Sequence, residues 1–195
     1  MTDGGRGRAS VARGERIRLF CALQLAPDTL DCLVAWQREH LSAAEADGLL
    51  RVVPRGNLHV TLAFLGHRPA GDVAVVAAEL RASASAAAPP ALRVARVRST
   101  RSVGMVVLEE AGEPHAAALA ADLQQRLEQR GVYRREDRPW LPHVTVYRSR
   151  ERAGIAPPPP NRCSIHVVRS ALYRSTPGPG GARYDALDTA ALGGT

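Results

Sequence analysis

Large apolar residues alternate with smaller or polar ones along residues 16–23 (Arg-Ile-Arg-Leu-Phe-Cys-Ala-Leu), the period of two that a strand requires. Pro27 and Asp28 then open a helix that runs through His40 and Leu41. Leu30, Leu33, Val34, Gln37 and Leu41 recur there at helical spacing, and Gln37 is the polar exception in the stripe. Residues 51–53 read as a short strand closed by Pro54, and residues 57–66 as a strand ended by Gly66. Asp72 stands at the N-cap of a helix running through Leu80 to about Ala84, and the Ala/Ser/Pro-rich stretch 82–90 reads as a loop. Leu92, Val94 and Val97 mark a strand broken or bulged near Arg96, and residues 103–108 a second one. The strongest helix signal covers 113–129, with Leu119, Leu123 and Leu127 stacked on one face and Gly131 as C-cap. Residues 140–148 form another short strand, 157–160 a stiff proline spacer, 163–173 and 182–187 the last strands, with a loop over 176–181.

One unit recurs in this order. Strand, helix, then a strand carrying His-x-Thr occurs over residues 17–65 and again over 103–148. That repetition predicts an α+β protein of two similar lobes facing one cleft. The expected organisation is an N-terminal tail over 1–15, rich in Gly, Arg and Ser, one bilobal domain over 16–190 and a flexible C-terminus over 191–195.

In each His-x-Thr strand one face is apolar. Leu58, Val60, Leu62 and Phe64 share it in the first, Val144 and Val146 in the second. His59 and Thr61, like His143 and Thr145, point the other way, about 7 Å apart along the strand. One phosphate group suits two side chains at that spacing. Cleaving a phosphodiester needs a base for the nucleophile and an acid for the departing oxygen, and histidine serves both near neutral pH. Threonine hydroxyls can donate to the nonbridging oxygens, where charge gathers in the transition state. This scheme needs no metal and no cofactor.

Charge adds less than it first suggests. The net charge is +7 and all 26 basic residues are arginine, which fits a polyanionic partner but equally an arginine- and alanine-rich coding bias. Three cysteines, an odd count without a CxxC spacing, suggest neither a disulfide framework nor a zinc site, and a reduced, cytoplasmic setting is expected. The N-terminus lacks the apolar core of a signal peptide, and no apolar run is long enough to span a bilayer.

Residues 57–66 and 138–146 resemble the paired His-x-Thr-x motifs of the 2H (two-histidine) phosphoesterases, and more narrowly the LigT-like RNA 2′,3′-cyclic phosphodiesterases of the 2′-5′ RNA ligase family. Residues 18–23, 51–54, 131–133, 172–175 and 181–184 are similar to that family as well, so the resemblance runs from about 16 to 188. It implies a bilobal α+β fold with two pseudo-symmetric lobes, each a mainly antiparallel sheet with flanking helices, and an active-site cleft between them. It implies His59 as proton donor to the leaving ribose oxygen, His143 as proton acceptor from water, and Thr61 and Thr145 on the phosphate, with a 2′-phosphate as product. Arg148 matches an arginine that the family often carries, although strict alternation puts it on the face opposite His143. A bulge or the strand end must therefore bring it round. The family usually has Leu where Val60 and Val144 stand, and Phe where Tyr133 and Trp140 stand. Tyr147 falls on the His143 face by alternation, where it narrows the cleft, stacks on a base or sits at the rim.

The expected partner is RNA with a 2′,3′-cyclic phosphate end or a small cyclic nucleotide, for a monomer that binds neither membrane nor DNA. Three alternatives stay open: a small-molecule cyclic phosphodiesterase of the ADP-ribose type, ligation through a 2′-5′ bond, and a non-catalytic RNA- or nucleotide-binding module. His40, His67, His115 and His166 show no partner spacing, Glu109-Glu110 reads as a solvated strand end, and Trp36 reads as packing.

Overall fold

The computed structural model describes residues 15–193. The tail expected over 1–15 and the last residues of the expected C-terminus fall mostly outside that range. The order is β1 (Arg16–Leu25), α1 (Pro27–Ala46), β2 (Arg51–Val52), β3 (His59–Pro69), α2 (Val73–Ala86), β4 (Leu92–Ser99), β5 (Val103–Glu110), α3 (His115–Gln129), β6 (His143–Arg148), β7 (Val167–Thr176) and β8 (Arg183–Ala190). The repeated unit is β1-α1-β3 and β5-α3-β6. None of the described helices is long and apolar enough to cross a membrane.

The sheet is antiparallel and runs β4-β5-β6-β3-β1-β7-β8. Its two halves meet through a single pair, Val60 with Val144. β5 holds one edge of β6 throughout. On the other edge, β6 leaves β3 after Val144 and takes up β2 instead, with Tyr147 opposite Val52 and Arg148 opposite Arg51. β3 and β6 therefore diverge from their meeting point, and the divergence opens the cleft.

The core lies on the face of the sheet that the sequence marks as apolar. Val60, Leu62, Val144 and Val146 are buried, together with Leu33 and Leu41 of α1 and Leu119, Leu123 and Leu127 of α3. The helices cross over between the halves. Gln37 of α1 bonds the backbone of β6, and Gln124 of α3 bonds that of β3. As expected, the β4–β5 ladder is bulged between Val94 and Arg96. Gly131, with φ of 69°, ends α3, with Val132 N–H donating to Leu127 O.

Several expectations need correcting. α2 continues to Ala86 through part of the stretch read as a loop, because its alanines are good helix formers. Asp72 does not cap α2; its carboxylate pairs with Arg68 instead. β7 starts at Val167 rather than 163, since before it only Ile165 makes a bridge, to Leu92. The cysteine reading also fails. Cys32 of α1 and Cys163 ahead of β7 are disulfide-bonded, and the odd residue is Cys21, buried in the core. Burial pushes the Cys21 thiol up to about 12, so it carries no thiolate at neutral pH. The odd count hid a pair behind a core cysteine, and cysteine usage gives no ground for assigning a reducing compartment.

Tyr147 is neither at the rim nor in the cleft. It is 1% exposed, its hydroxyl bonds that of Ser99 at 2.7 Å, and its ring lies against Gly104 of β5. A Cβ at position 104 would fall inside that ring. Gly104→Ala is therefore expected to cost about 3 kcal/mol, the upper part of the overpacking range, because Ser99 holds the ring in place. Urea unfolding measures this; a loss under about 1 kcal/mol would mean that the ring moves freely aside.

Candidate active site

Both histidines are held in the same way. The Nδ1–H of His59 donates to Asn57 O at 2.7 Å, and that of His143 to Leu141 O at 2.8 Å. A carbonyl oxygen only accepts, so each neutral ring carries its proton on Nδ1 and turns Nε2 to the cleft. His59 Nε2 lies 3.1 Å from Thr61 Oγ1. Continuing the register of the Val60–Val144 pair puts His59 across from Thr145 and Thr61 across from His143. The four side chains line one cleft of about 990 Å³. Trp140 ties the two motifs together, its Nε1–H donating to Thr61 O at 2.9 Å.

Arg148 joins them by the bulge that the alternation argument called for. On β5, Met105 faces Thr145 and Gly104 faces Tyr147, so Val146 has no opposite residue. The extra residue turns the strand over. Val146 and Tyr147 are both buried, and Arg148 emerges on the cleft side. β3 has the same device. Thr61 faces Ala22 and Ala63 faces Cys21, Leu62 is left over, and Phe64, also five residues past its histidine, emerges into the cleft. Arg18 lies over the Phe64 ring at 4.8 Å.

Sequence reasoning gave no role to the aromatic surroundings. Five of the eight aromatic residues, Phe20, Phe64, Tyr133, Trp140 and Tyr184, line the cleft. Phe20 packs on the His59 ring at 4.9 Å, Tyr184 meets it edge-on at 5.5 Å, and Tyr173 stands at 6.3 Å. With so few aromatics in the chain, their return in β1, β7 and β8 was the available signal. Four arginines in or around the cleft, Arg18, Arg51, Arg98 and Arg148, have no carboxylate partner among the described residues. Arg51 and Arg148 even face each other across β2 and β6, where like charges repel unless an anion lies between them.

The aromatic cage has an electrostatic consequence. Burial holds the His59 pKa down at about 4, and the charges of His143 and Arg148 push the same way, against the opposing hydrogen bond to Asn57. The folded value lies below the unfolded 6.5, so as pH falls the unfolded chain takes up this proton first. The associated stability is full above about pH 6.5 and is lost progressively towards pH 4, by about 3 kcal/mol. Urea unfolding at pH 7 and pH 4 tests this: His59→Asn should shrink the difference, and an unchanged difference would refute it.

Comparisons with known proteins bear on the family and the fold. An RNA 2′,3′-cyclic phosphodiesterase of Escherichia coli K12 is 28% identical over 189 residues, covering 90% of this chain and 96% of that protein. The crystal structure of E. coli LigT in apo form superposes with a TM-score of 0.73 at 27% identity, over 92% of this chain and 99% of that one. LigT complexed with 3′-AMP gives 0.72 at 26% identity, with the same coverage. The family model of the 2′-5′ RNA ligase superfamily matches residues 32–158, which takes in most of the helix of Gln37, both His-x-Thr strands and Arg148; the chain belongs to the 2′-5′ RNA ligase superfamily.

Proposed function

We propose that this protein is an RNA 2′,3′-cyclic phosphodiesterase that hydrolyses the cyclic phosphate of an RNA end to a 2′-phosphate. The observation that carries the reading is the symmetric anchoring of His59 and His143, each fixed through Nδ1–H with Nε2 facing one cleft. His143 Nε2 takes the proton of the attacking water. The water oxygen bonds phosphorus as the bond to the 3′-oxygen breaks, and His59 Nε2–H protonates that oxygen. Thr61, Thr145 and Arg148 hold the nonbridging oxygens and the charge that builds on them. DNA lacks the 2′-oxygen and cannot form this substrate.

His59 must carry a second proton to act as the acid, yet in the free protein it titrates at about 4. A bound phosphate anion counters the burial and the neighbouring positive charges and raises that value. The His59 titration is therefore expected at higher pH with phosphate bound than in the free protein, which histidine proton NMR with and without inorganic phosphate measures. A titration that phosphate leaves in place would argue against His59 as the acid.

The arginines without a carboxylate partner among the described residues favour an RNA strand over a cyclic mononucleotide, since one phosphate does not occupy four guanidinium groups; an ADP-ribose cyclic phosphate, which also carries a diphosphate, is left to the test. Turnover of cyclic-phosphate-ended oligoribonucleotides, 2′,3′-cyclic mononucleotides and an ADP-ribose cyclic phosphate, in EDTA and with phosphorus NMR on the product, decides between them. The expected result is a 2′-phosphate, formed with higher kcat/KM on the oligonucleotide. Activity abolished by EDTA and restored by a metal would overturn the mechanism; turnover of only the ADP-ribose compound would overturn the substrate.

A further inference from the structure

Gln37 is the polar residue in the buried stripe of α1, and neither the core nor the acid–base pair accounts for it. It is 2% exposed. Its Nε2 donates both hydrogens, one to Val146 O at 2.8 Å and one to Val53 O at 3.1 Å. Val146 is the extra residue of the β6 bulge, and its carbonyl also receives Val53 N–H at 3.0 Å. A single amide thus joins the bulge to the chain leaving β2. The bulge is what puts Arg148 on the face of His143. A strand that slips by one residue sends its side chains to the opposite face, which here would exchange Arg148 for Tyr147.

A single buried glutamine beneath a strand is ordinary core satisfaction. The other half of the molecule repeats it. Gln124 of α3 donates to Leu62 O at 2.8 Å, and Leu62 is the extra residue of the β3 bulge. Two helices place an amide on the extra residue of two bulges, and beyond each bulge a side chain emerges into the cleft, Phe64 in one case and Arg148 in the other. Gln124 is half-buried and makes this one bond, whereas Gln37 is buried with both amide hydrogens used, and such a group selects one backbone arrangement over its near neighbours.

We propose that Gln37 is a positioning residue: it locks the bulge at Val146 and so holds the Arg148 guanidinium on the anion-binding face between His59 and His143. This rests on the reading that the cleft takes a phosphate group, and it does not need turnover of a cyclic phosphate.

Inorganic phosphate is the probe, with affinity followed by phosphorus NMR. Arg148→Ala is expected to weaken binding about tenfold, as removing a hydrogen bond to a charged group does. Gln37→Met fills the same space without an amide and should weaken it by a similar factor. The double variant should bind no more weakly than Arg148→Ala alone, because both changes remove the same contact. The His59 titration should move up in both single variants, since the guanidinium that opposes its protonation has left; a purely structural loss would not move it. If Gln37→Met does not fold, Gln37→Asn, whose amide is one methylene too short to span both carbonyls, enters the same comparison. Phosphate affinity unchanged by the Gln37 substitution, or a double variant losing the product of the two factors, would overturn the proposal. So would a wild type that binds no phosphate. Binding with this coupling intact but no turnover of cyclic phosphates would sink the proposed reaction and leave the assignment of Gln37 standing.

Discussion

His143→Ala is expected to lower kcat on a 2′,3′-cyclic phosphate by about 10³-fold, within the 10²–10⁴ that a positioned acid or base contributes. That factor corresponds to about 4 kcal/mol of transition-state stabilisation. The expectation rests on the anchoring of the ring. With Nδ1–H committed to Leu141 O, Nε2 is the atom left to accept a proton from water. His59→Ala should cost a similar factor, because Nδ1–H is committed to Asn57 O in the same way. The two losses should not multiply. Acid and base act in one transition state, so the double variant should fall little below either single one. Single-turnover kinetics on a cyclic-phosphate-ended oligonucleotide gives all three numbers. A His143→Ala variant that is folded and within threefold of wild type would exclude it as the base. Losses that multiply would mean that each histidine serves a separate step.

The second large effect concerns stability. Reducing Cys32–Cys163, or replacing both by serine, should lower unfolding free energy by about 2–5 kcal/mol, the upper end following from the long loop that the bond closes. The two cysteines are 131 residues apart, and the segment between them carries both His-x-Thr strands. In the unfolded chain this cross-link restricts most of the molecule. In the fold it pins α1 to the segment before β7, alongside the bond from Trp36 Nε1–H to Pro158 O. Neither cysteine lines the cleft, so the reduced protein should keep its kcat at 25 °C while its urea midpoint falls. A midpoint unchanged by reductant would show that the bond does not form in solution. Buried Cys21 stays a thiol throughout and offers no exchange partner.

The two bulges bear on how enzymes of this shape are built. A regular strand presents every second residue, so a His-x-Thr pair would be followed on its face by the residue four past the histidine. Here that residue is Ala63 or Tyr147, both buried. Inserting one residue hands the position to Phe64 in one lobe and to Arg148 in the other, so one backbone device supplies the cleft with a ring from one strand and a cation from the other. The sheet stays paired on both sides of each bulge, and the change of face costs no ladder beyond one residue.

Sequence alone determined the elements with a local period. β1, β3, β5 and β6 are legible because alternation needs only neighbours, and α3 because its leucines recur every four residues before a glycine. His59, Thr61, His143 and Thr145 were legible for the same reason: each pair sits on the polar side of a strand whose other side is apolar. The basic charge could not be read as function, since an arginine-rich composition looks the same whether or not the arginines converge. Tertiary structure alone decided which side Arg148 and Tyr147 take, because a bulge is a property of two strands in register and no single strand reveals it. It also decided the pairing of Cys32 with Cys163, the aromatic cage that depresses His59, and the use of Gln37. Each of these depends on groups far apart in the chain: Cys32 and Cys163, the rings of β1, β7 and β8, and the carbonyls of Val53 and Val146. Local periodicity carries no information about distances of that kind. In the stripe of α1, Gln37 was visible as an exception, and only the backbone packed beneath it gave the exception a reason.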